Sequence, residues 1–395
     1  MPTLTVLQGA RVFTGDMCLE GHAVVIEGDT VRAIVPTSSV PASATVHTLP
    51  GDTVLAPGFI DVQVNGAGGV LFNDTPTVEA ALAIASAMRT CGTTALLPTF
   101  ITDDPSRMRE ACEAALTATA QSDGGVLGIH LEGPFISRER AGVHAPSFIR
   151  APAPRDVDYL TALPRRFAAH GGRVLMTLAP ECVDDATLRR LVTSGVVLSA
   201  GHTAATSERT TQALATGVRG FTHLFNAMPP VLNRQPGPIV AALTHDDAWC
   251  GVIADGVHVH ADNLRLLLKV KPPGKVFLVT DAMPPVGTPV TSFTLQGRTI
   301  LRRHGRLETE DGTLAGADID LTAAVRHCVH ALGVPLEEAL RMASLHPAAF
   351  LGVHGHRGRV APGHRADLVL LKPDLSVHTT WVGGQARTTE SLTRD

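Results

Sequence analysis

The chain has 395 residues, 44% of them hydrophobic and 18% charged, with a formal net charge of −4 at pH 7. This length fits one barrel plus an accessory module, and the slightly acidic balance argues against a general nucleic-acid binder. No segment is long and uncharged enough to span a membrane, and residues 1–13 lack the pattern of a secretory signal. The six cysteines are dispersed without a C-x-x-C pair, which is typical of reduced thiols, so we expect a cytoplasmic protein.

Short apolar runs broken by Gly, Asp and Pro occupy both ends of the chain. They read "LTVLQGARVFTG", "HAVVIEGDTVRAIV" and "ATVHTLPGDTVLAPG" near the start, and "GRVAPGHRADLVLLKPD" and "TTWVGGQAR" near the end. The alternation predicts antiparallel strands of a sheet with one solvent-exposed face. We therefore predict a small β-sandwich domain built from residues 1–57 and 359–395, with a second domain at 58–358.

Between these ends, apolar runs alternate with Ala-rich helical segments. "GFIDVQV" precedes "TVEAALAIASAMRTC", "TALLPTF" precedes "DPSRMREACEAALTATA", and the rhythm continues to "GKVFLVTDA". Strand–helix units repeated eight times indicate a parallel sheet, which eight units would close into a (β/α)8 TIM barrel of the α/β class. A doubly wound open sheet is the alternative, but no G-x-G-x-x-G follows the first strand. We therefore predict the barrel.

Polar residues gather where the predicted strands end, which is the face of such a barrel that carries active sites. Glu132 ends the third strand in "VLGIHLEGPF", and a charge at the tip of a buried strand is costly unless a cation compensates it. His202 and His223 end the fifth and sixth strands, and Asp281 ends the eighth. One carboxylate and two imidazoles with an open position for water form the pattern of a catalytic divalent-metal site. The other polar residues at strand ends are Asp61, Gln63 and Asn65 on the first strand and His258 after the seventh.

Each of these residues also has a purely structural interpretation. A single histidine at a strand end is more often a hydrogen-bonded structural group. Glu132 alone would equally fit a salt bridge with an arginine, and Asp281 alone would fit a helix N-cap. We interpret Glu181, also at a strand end, as structural. The functional interpretation depends on four such residues ending four different strands at the same face.

Six motifs resemble the N-acetylglucosamine-6-phosphate deacetylases of the amidohydrolase superfamily. They span about residues 50 to 365 and read "PGFIDVQVNGAGGVLFND", "GIHLEGPF", "LSAGHT", "THLFNAMPP", "IADGVHV" and "LVTDAMPP". Many superfamily members carry H-x-H on strand 1 and a carboxylated lysine on strand 4. Here strand 1 reads Gln63-Val64-Asn65, and no lysine precedes Lys269.

The resemblance therefore implies the single-metal form of the deacetylase. Glu132, His202 and His223 would bind one divalent ion per subunit, zinc or iron(II), which ligand identity alone does not distinguish. Gln63 would either hold a metal-bound water or, with Asn65, mark a weak second site.

The same resemblance implies roles for the remaining residues. Asp281 would take the proton of the attacking water and give it to the leaving amine, and His258 would donate to the amide carbonyl oxygen. A homodimer is implied, with Arg234 or His144 contacting substrate across the interface. The planar guanidinium of Arg234 suits a phosphate. The implied substrate-binding residues are Val143, His144, Asn226, Ala227, Arg234, His258, Leu314, Ala315 and Gly316.

The expected function is metal-dependent hydrolysis of the N-acetyl group of N-acetylglucosamine 6-phosphate, giving glucosamine 6-phosphate and acetate in amino-sugar catabolism. One alternative is a related amidohydrolase that acts on another N-acetylated amino-sugar phosphate, such as the galactosamine form, or on an N-acyl amino acid. A non-catalytic scaffold on the same barrel is a second alternative, which the complete ligand set disfavours. No nucleic-acid or membrane partner is expected.

Overall fold

The chain begins with seven short strands that form most of a two-layered β-structure. The computed structural model describes residues 4–121 and 124–388. The strands are β1 Leu4–Gln8, β2 Arg11–Phe13, β3 Cys18–Leu19, β4 His22–Glu27, β5 Thr30–Pro36, β6 Thr45–Thr48 and β7 Val54–Pro57. One sheet has the strand order β5-β4-β1-β6. The expectation of antiparallel pairing is wrong for two pairs, because β1 runs parallel to β6 and β2 runs parallel to β7. The long segments between these strands let the chain cross over and return in the same direction.

Eight parallel strands follow and form the barrel. They and two short strands beside the first are β8 Phe59–Val64, β9 Gly66–Ala67, β10 Val70–Leu71, β11 Thr93–Ile101, β12 Gly128–Glu132, β13 Arg173–Leu178, β14 Val197–Ala200, β15 Gly220–Phe221, β16 Trp249–Val252 and β17 Val276–Leu278. The barrel order is β17-β16-β15-β14-β13-β12-β11-β8, so neighbours in the chain are neighbours in space. Just beyond β17, Val64 pairs with Ala282 and Asp281 N donates to Gln63 O at 3.0 Å, which brings the last strand to the first. The predicted barrel is therefore confirmed.

Seven helices connect successive barrel strands. They are α1 Val78–Arg89, α2 Pro105–Thr119, α3 Pro154–Ala168, α4 Asp185–Ser194, α5 Ser207–Thr216, α6 Gly237–Thr244 and α7 Ala261–Val270. Their ends follow local rules: the Asp104 carboxylate accepts the Ser106 N–H at the start of α2, and α4 ends at Gly195 with φ of 98°. Within the described ranges, no helix has both the length and the apolar character that crossing a membrane requires.

A three-stranded antiparallel sheet, which the sequence analysis did not assign, lies between the eighth barrel strand and the next helix. It comprises β18 Ser292–Leu295, β19 Arg298–Arg303 and β20 Arg306–Thr309. Leu295, Ile300 and Leu307 are buried in one cluster with Met283, so the sheet packs beside the segment that follows β17. The Gln296 side chain, between β18 and β19, donates to the Thr102 carbonyl oxygen at 2.6 Å, so the insertion lies against the C-terminal end of β11.

The chain then returns through α8 Leu321–His330, α9 Leu336–Ala343 and α10 Leu345–Leu351, and ends in β21 Leu368–Leu371, β22 Val377–Val382 and β23 Gln385–Thr388. The second terminal sheet has the order β23-β22-β21-β7-β2-β3 and shares a core with the first, including Leu7, Leu55 and Leu370. A β-structure assembled from both termini is thus confirmed. The exact domain boundaries stay a prediction, and residues 1–3 and 389–395 of the predicted sandwich lie outside the described residues.

Inside the barrel, a buried polar network lies below the strand ends. His130 Nε2 and Thr177 Oγ1 are 2.7 Å apart, Thr177 Oγ1 and Thr222 Oγ1 are 2.6 Å apart, and Thr222 donates to Ser199 Oγ at 2.8 Å. Burial lowers the pKa of His130 to about 4. The neutral ring thereby links four strands through hydrogen bonds instead of charge.

Replacing His130 with Gln is expected to make the free energy of unfolding depend less on pH below about pH 6.5. The folded-state pKa of His130 lies below the ordinary value of 6.5, so the unfolded chain binds the extra proton first as pH falls. The contribution of His130 to the free energy of unfolding is present above about pH 6.5 and is lost as pH falls towards about 4. The loss between about pH 7.5 and about pH 5 is about 2 kcal/mol. Urea unfolding at those two pH values measures it. His47→Gln, at an exposed histidine of β6, is the control. Equal pH slopes for wild type and His130→Gln would contradict the assignment.

Candidate active site

The acid of the E-G-P motif is held at the tip of β12 by its neighbours. Thr102 Oγ1 donates to the Glu132 carbonyl oxygen at 3.2 Å. Gly133 has φ of 86°, and a Cβ at this position would overlap the Thr102 hydroxyl, so only glycine fits. The chain therefore turns away directly after Glu132 and leaves its carboxylate at the barrel mouth.

The carboxylate of Glu132 meets two imidazoles from neighbouring strands. Glu132 Oε1 lies 3.0 Å from His202 Nε2 and 3.0 Å from His223 Nε2, and these two nitrogens are 3.1 Å apart. All three side chains are buried. The three predicted metal ligands thus surround one common point.

The hydrogen bonding of this group fits a bound cation. His202 Nδ1 lies 2.8 Å from the Arg140 carbonyl oxygen, which can only accept, so Nδ1 carries the proton and the neutral ring presents a lone pair at Nε2. A lone pair against a carboxylate at 3.0 Å is repulsive unless a proton or metal ion lies between them. Burial alone would raise the pKa of Glu132, but where a proton lies between its carboxylate and His202 or His223, the resulting hydrogen bonds outweigh burial and hold that pKa well below its usual range. One carboxylate and two imidazoles are a suitable donor set for zinc or iron(II).

His144 provides another nitrogen near this point. Ligand atoms of Glu132, His144 and His202 lie within 4.8 Å of one another. His223 approaches more closely, since its Nε2 is about 3 Å from both other ligand atoms, so the tighter set contains His223. His144 Nδ1 is 2.8 Å from Thr102 Oγ1, and burial lowers the pKa of His144 to about 3, which keeps the ring neutral. His144 therefore lies beside the donor set as an uncharged group.

Asp281 lies across from the donor set and is oriented by two amides of the first strand. Asn65 Nδ2 donates to Asp281 Oδ1 at 2.6 Å, and Gln63 Nε2 donates to the same oxygen at 3.2 Å. Gln63 Nε2 is also 3.2 Å from Glu132 Oε1, so it bridges the two carboxylates. Both amides use Oδ1, which leaves Oδ2 to take up a proton. Burial, reinforced by the charge of Glu132, raises the pKa of Asp281 to about 6, suitable for a group that gains and loses a proton near neutral pH.

His258 is paired with an aspartate that the sequence analysis missed. His258 Nδ1 lies 2.6 Å from Asp255 Oδ2, while Asp255 Oδ1 accepts the backbone N–H groups of Val257 and His258 at 2.8 Å each. Burial would raise the pKa of Asp255, but the His258 hydrogen bond outweighs it and lowers that pKa. The spacing of three residues between aspartate and histidine in "ADGVH" was the available signal. Asp255 is a positioning residue that fixes the ring with Nε2 directed away from it.

Several residues in the site and next to it adopt left-handed backbone conformations that non-glycine residues rarely take. The φ values are 48° at His202, 31° at His223, 82° at Phe225, 50° at Ala227 and 53° at Asp281. Each of these residues follows a barrel strand, where the chain must leave the sheet while still directing its side chain or backbone to the mouth. Such strain is typical of functional sites.

A cavity of about 370 Å³ opens above the donor set, within the range of small-ligand pockets. Of the predicted residues, the cavity is lined by Asn65, Glu132, Val143, His144, His202, His223, Asn226, Ala227, His258, Asp281, Leu314 and Gly316. The sequence analysis did not name Glu139, Arg140, Met283 and Thr313, which also line it.

Four predicted or considered residues lie elsewhere. Ala315 is fully buried in the apolar cluster of the inserted sheet, so its side chain does not line the cavity. Arg234 is exposed and lies outside the lining. Asp61 is buried behind the site and accepts the Thr280 hydroxyl at 2.6 Å. Glu181 accepts the Thr203 hydroxyl and the Ala204 N–H at 2.6 Å each, in agreement with the structural interpretation.

The chain is a (β/α)8 barrel in which one carboxylate and two imidazoles converge at the mouth. These features place it in the class of TIM-barrel enzymes with a metal-binding donor set. Comparison with known families makes this specific: the Amidohydrolase family model matches residues 54–387, and the NagA composite domain model matches residues 6–54. The chain belongs to the amidohydrolase family. Members of this family are generally metal-dependent, in agreement with the donor set.

Individual relatives are similar over nearly their whole length. An N-acetylgalactosamine-6-phosphate deacetylase from Shewanella sp. (strain ANA-3) is 36% identical over 384 residues, 97% of this chain and 95% of that protein. The crystal structure of N-acetylglucosamine-6-phosphate deacetylase from Pasteurella multocida has a TM-score of 0.93 at 35% identity, covering 98% of this chain and 100% of that one. A mutant deacetylase from Mycobacterium smegmatis, in complex with N-acetyl-D-glucosamine-6-phosphate, has a TM-score of 0.86 at 31% identity, covering 98% and 100%. The resemblance seen in the six motifs is confirmed.

Proposed function

We propose that the chain hydrolyses the acetamide of N-acetylglucosamine 6-phosphate to glucosamine 6-phosphate and acetate. The observation that carries the proposal is the convergence of Glu132, His202 and His223 on one point, with Asp281 beside it. The names of the Pasteurella and Mycobacterium proteins support the substrate, because the similarity to each covers nearly the full chain.

Glu132, His202 and His223 would hold one divalent ion, zinc or iron(II). When bound, such an ion activates water and polarises a carbonyl group. Arg140 fixes the His202 ring through its carbonyl oxygen, and Gln63 donates to Glu132 and orients its carboxylate. These contacts between protein groups orient the side chains that would hold the ion.

Asp281 carries the proton through the reaction. The ionised carboxylate accepts a proton from the attacking water at Oδ2, while Asn65 and Gln63 hold Oδ1. The protonated acid then donates to the amine nitrogen as the carbon–nitrogen bond breaks, and it returns to its ionised form when the product amine leaves.

His258 faces the oxygen of the scissile amide. Its Nδ1 lies against the Asp255 carboxylate, which orients the ring, and the proposed role uses an N–H at Nε2. That N–H donates to the carbonyl oxygen as negative charge develops on it.

Further parts of the proposal concern assembly and location. The resemblance to the deacetylases implies a homodimer in which Arg234 contacts the substrate of the other copy, and its exposure outside the lining of its own cavity agrees with that role. A cytoplasmic location agrees with six cysteines that are all free.

A deacetylation assay tests the proposed substrate. Metal-depleted protein, reconstituted with zinc or with iron(II), is offered the 6-phosphates of N-acetylglucosamine, N-acetylgalactosamine and N-acetylmannosamine, and N-acetylglucosamine itself. We expect activity only after reconstitution, with the highest kcat/KM for N-acetylglucosamine 6-phosphate. Preference for the galactosamine form would move the assignment to the activity of the Shewanella relative. Equal cleavage of the unphosphorylated sugar would reject a sugar-phosphate substrate.

A further inference from the structure

Apart from its histidines, the ionisable side chains that line this cavity are mostly carboxylates, which repel a phosphate dianion. Glu132, Glu139 and Asp281 all belong to the lining. Among the lining residues that the structure describes, Arg140 is the single arginine or lysine. A dianionic group needs cationic hydrogen-bond donors, and the planar guanidinium is well matched to phosphate oxygens.

The guanidinium of Arg140 is not used elsewhere in the described part of the chain. Among residues 4–121 and 124–388, no carboxylate is found within ion-pair distance of the Arg140 guanidinium, and its Nε is buried without a hydrogen-bond partner. Arg138, on the same single helical turn Arg138–Arg140, behaves differently, because it donates to the carbonyl oxygens of Pro146 and Ile149 at 2.7 and 2.9 Å. One arginine therefore holds the loop together, and the other keeps its donors for a ligand.

The backbone of Arg140 is fixed relative to the metal ligands. Its carbonyl oxygen lies 2.8 Å from His202 Nδ1, its N–H donates to Ser137 O at 3.1 Å, and Ser137 N donates to His202 O at 2.9 Å. These backbone hydrogen bonds fix the position of the Arg140 Cα atom beside the metal ligands. A guanidinium attached to a fixed backbone position can orient a bound substrate as well as increase its affinity.

We propose that Arg140 binds the phosphate group of the substrate within the same subunit and so determines the preference for phosphorylated sugars. The proposal rests on the proposed function and deepens it. Arg234, exposed and outside this lining, would then supply a second guanidinium from another copy of the chain, so two cations meet two negative charges.

The test compares substrates that differ only in the phosphate. Arg140→Met and Arg140→Lys are assayed with N-acetylglucosamine 6-phosphate and with N-acetylglucosamine, and inorganic phosphate is used as a competitive inhibitor. For Arg140→Met we expect kcat/KM for the phosphorylated sugar to fall about 10- to 100-fold, mostly through KM, and the inhibition constant for phosphate to rise in parallel. Activity on the unphosphorylated sugar should fall much less, so the ratio of the two kcat/KM values should drop, and Arg140→Lys should recover part of the loss. Arg298→Met, which removes an exposed charge from the inserted sheet, is the matched control.

Each result decides the matter. An equal loss on both sugars would show that Arg140 acts on the fold or on His202, and an unchanged preference for phosphate in Arg140→Met would show that other groups bind it. Either result overturns the proposal while leaving the proposed function intact. If the wild type itself shows no preference for the phosphorylated sugar, the proposed function fails, and the Arg140 proposal fails with it.

Discussion

Asp281→Asn is expected to lower kcat by about 10²- to 10⁴-fold while the metal content stays stoichiometric. The amide cannot accept the proton of the attacking water or return it to the amine, so the chemical step loses its acid and base together. Asp281 is not one of the three converging ligands, and the hydrogen bonds from Asn65 and Gln63 can still be made to an amide oxygen. Single-turnover kinetics and elemental analysis of the same preparation measure both quantities.

Glu139→Gln is the control for this substitution, because it removes a carboxylate from the wall of the same cavity. We expect its kcat to stay within about threefold of wild type. A comparable fall in both variants would mean that cavity charge, and not proton transfer, sets the rate. Loss of metal from Asp281→Asn would instead make Asp281 a ligand.

Glu132→Gln is expected to weaken metal affinity by more than about 100-fold and to abolish activity at ordinary metal concentrations. The substitution removes the negative charge that the cation compensates and leaves a neutral amide facing two imidazoles. Chelator competition measures the affinity, and addition of excess zinc tests how much activity returns.

Glu181→Gln is a matched control at the end of the neighbouring strand β13. Its carboxylate accepts hydrogen bonds from Thr203 and Ala204 and lines no part of the cavity, so stability should fall slightly and metal affinity should not change. Retention of tight metal binding by Glu132→Gln would remove Glu132 from the ligand set. The pair of His202 with His144 or with His223 would then have to hold the ion alone.

Much of the barrel and its donor set could be predicted because they depend on local patterns. An acid followed by Gly and Pro at the end of an apolar run marks a strand tip, and histidines at equivalent places in the fifth and sixth units must share the same face of a parallel barrel. The roles of Asp255 and Arg140 were not predictable in this way. Asp255 acts through a three-residue turn, and Arg140 is set apart from Arg138 only by which guanidinium finds carbonyl partners.

The terminal sheets show a second limit of sequence patterns. Alternation predicts strands and which face is buried, but β1 and β6 pair in parallel because of how the intervening chain crosses over, which no residue of either strand specifies. Similarly, Ala315 belongs to a loop with cavity-lining neighbours, yet its methyl group packs into the inserted sheet. The position of an individual side chain depends on tertiary packing, which cannot be read from the neighbouring residues in the sequence.

The left-handed backbone at His202, His223 and Asp281 has an evolutionary consequence. At each of these positions asparagine or glycine would relieve conformational energy, of order 1 kcal/mol or more, so substitutions that inactivate the enzyme also remove a source of instability. Selection for folding robustness and selection for turnover therefore oppose each other at the barrel mouth. A thermostable descendant of this chain would have to gain its extra stability elsewhere, in the helices and in the terminal sheets.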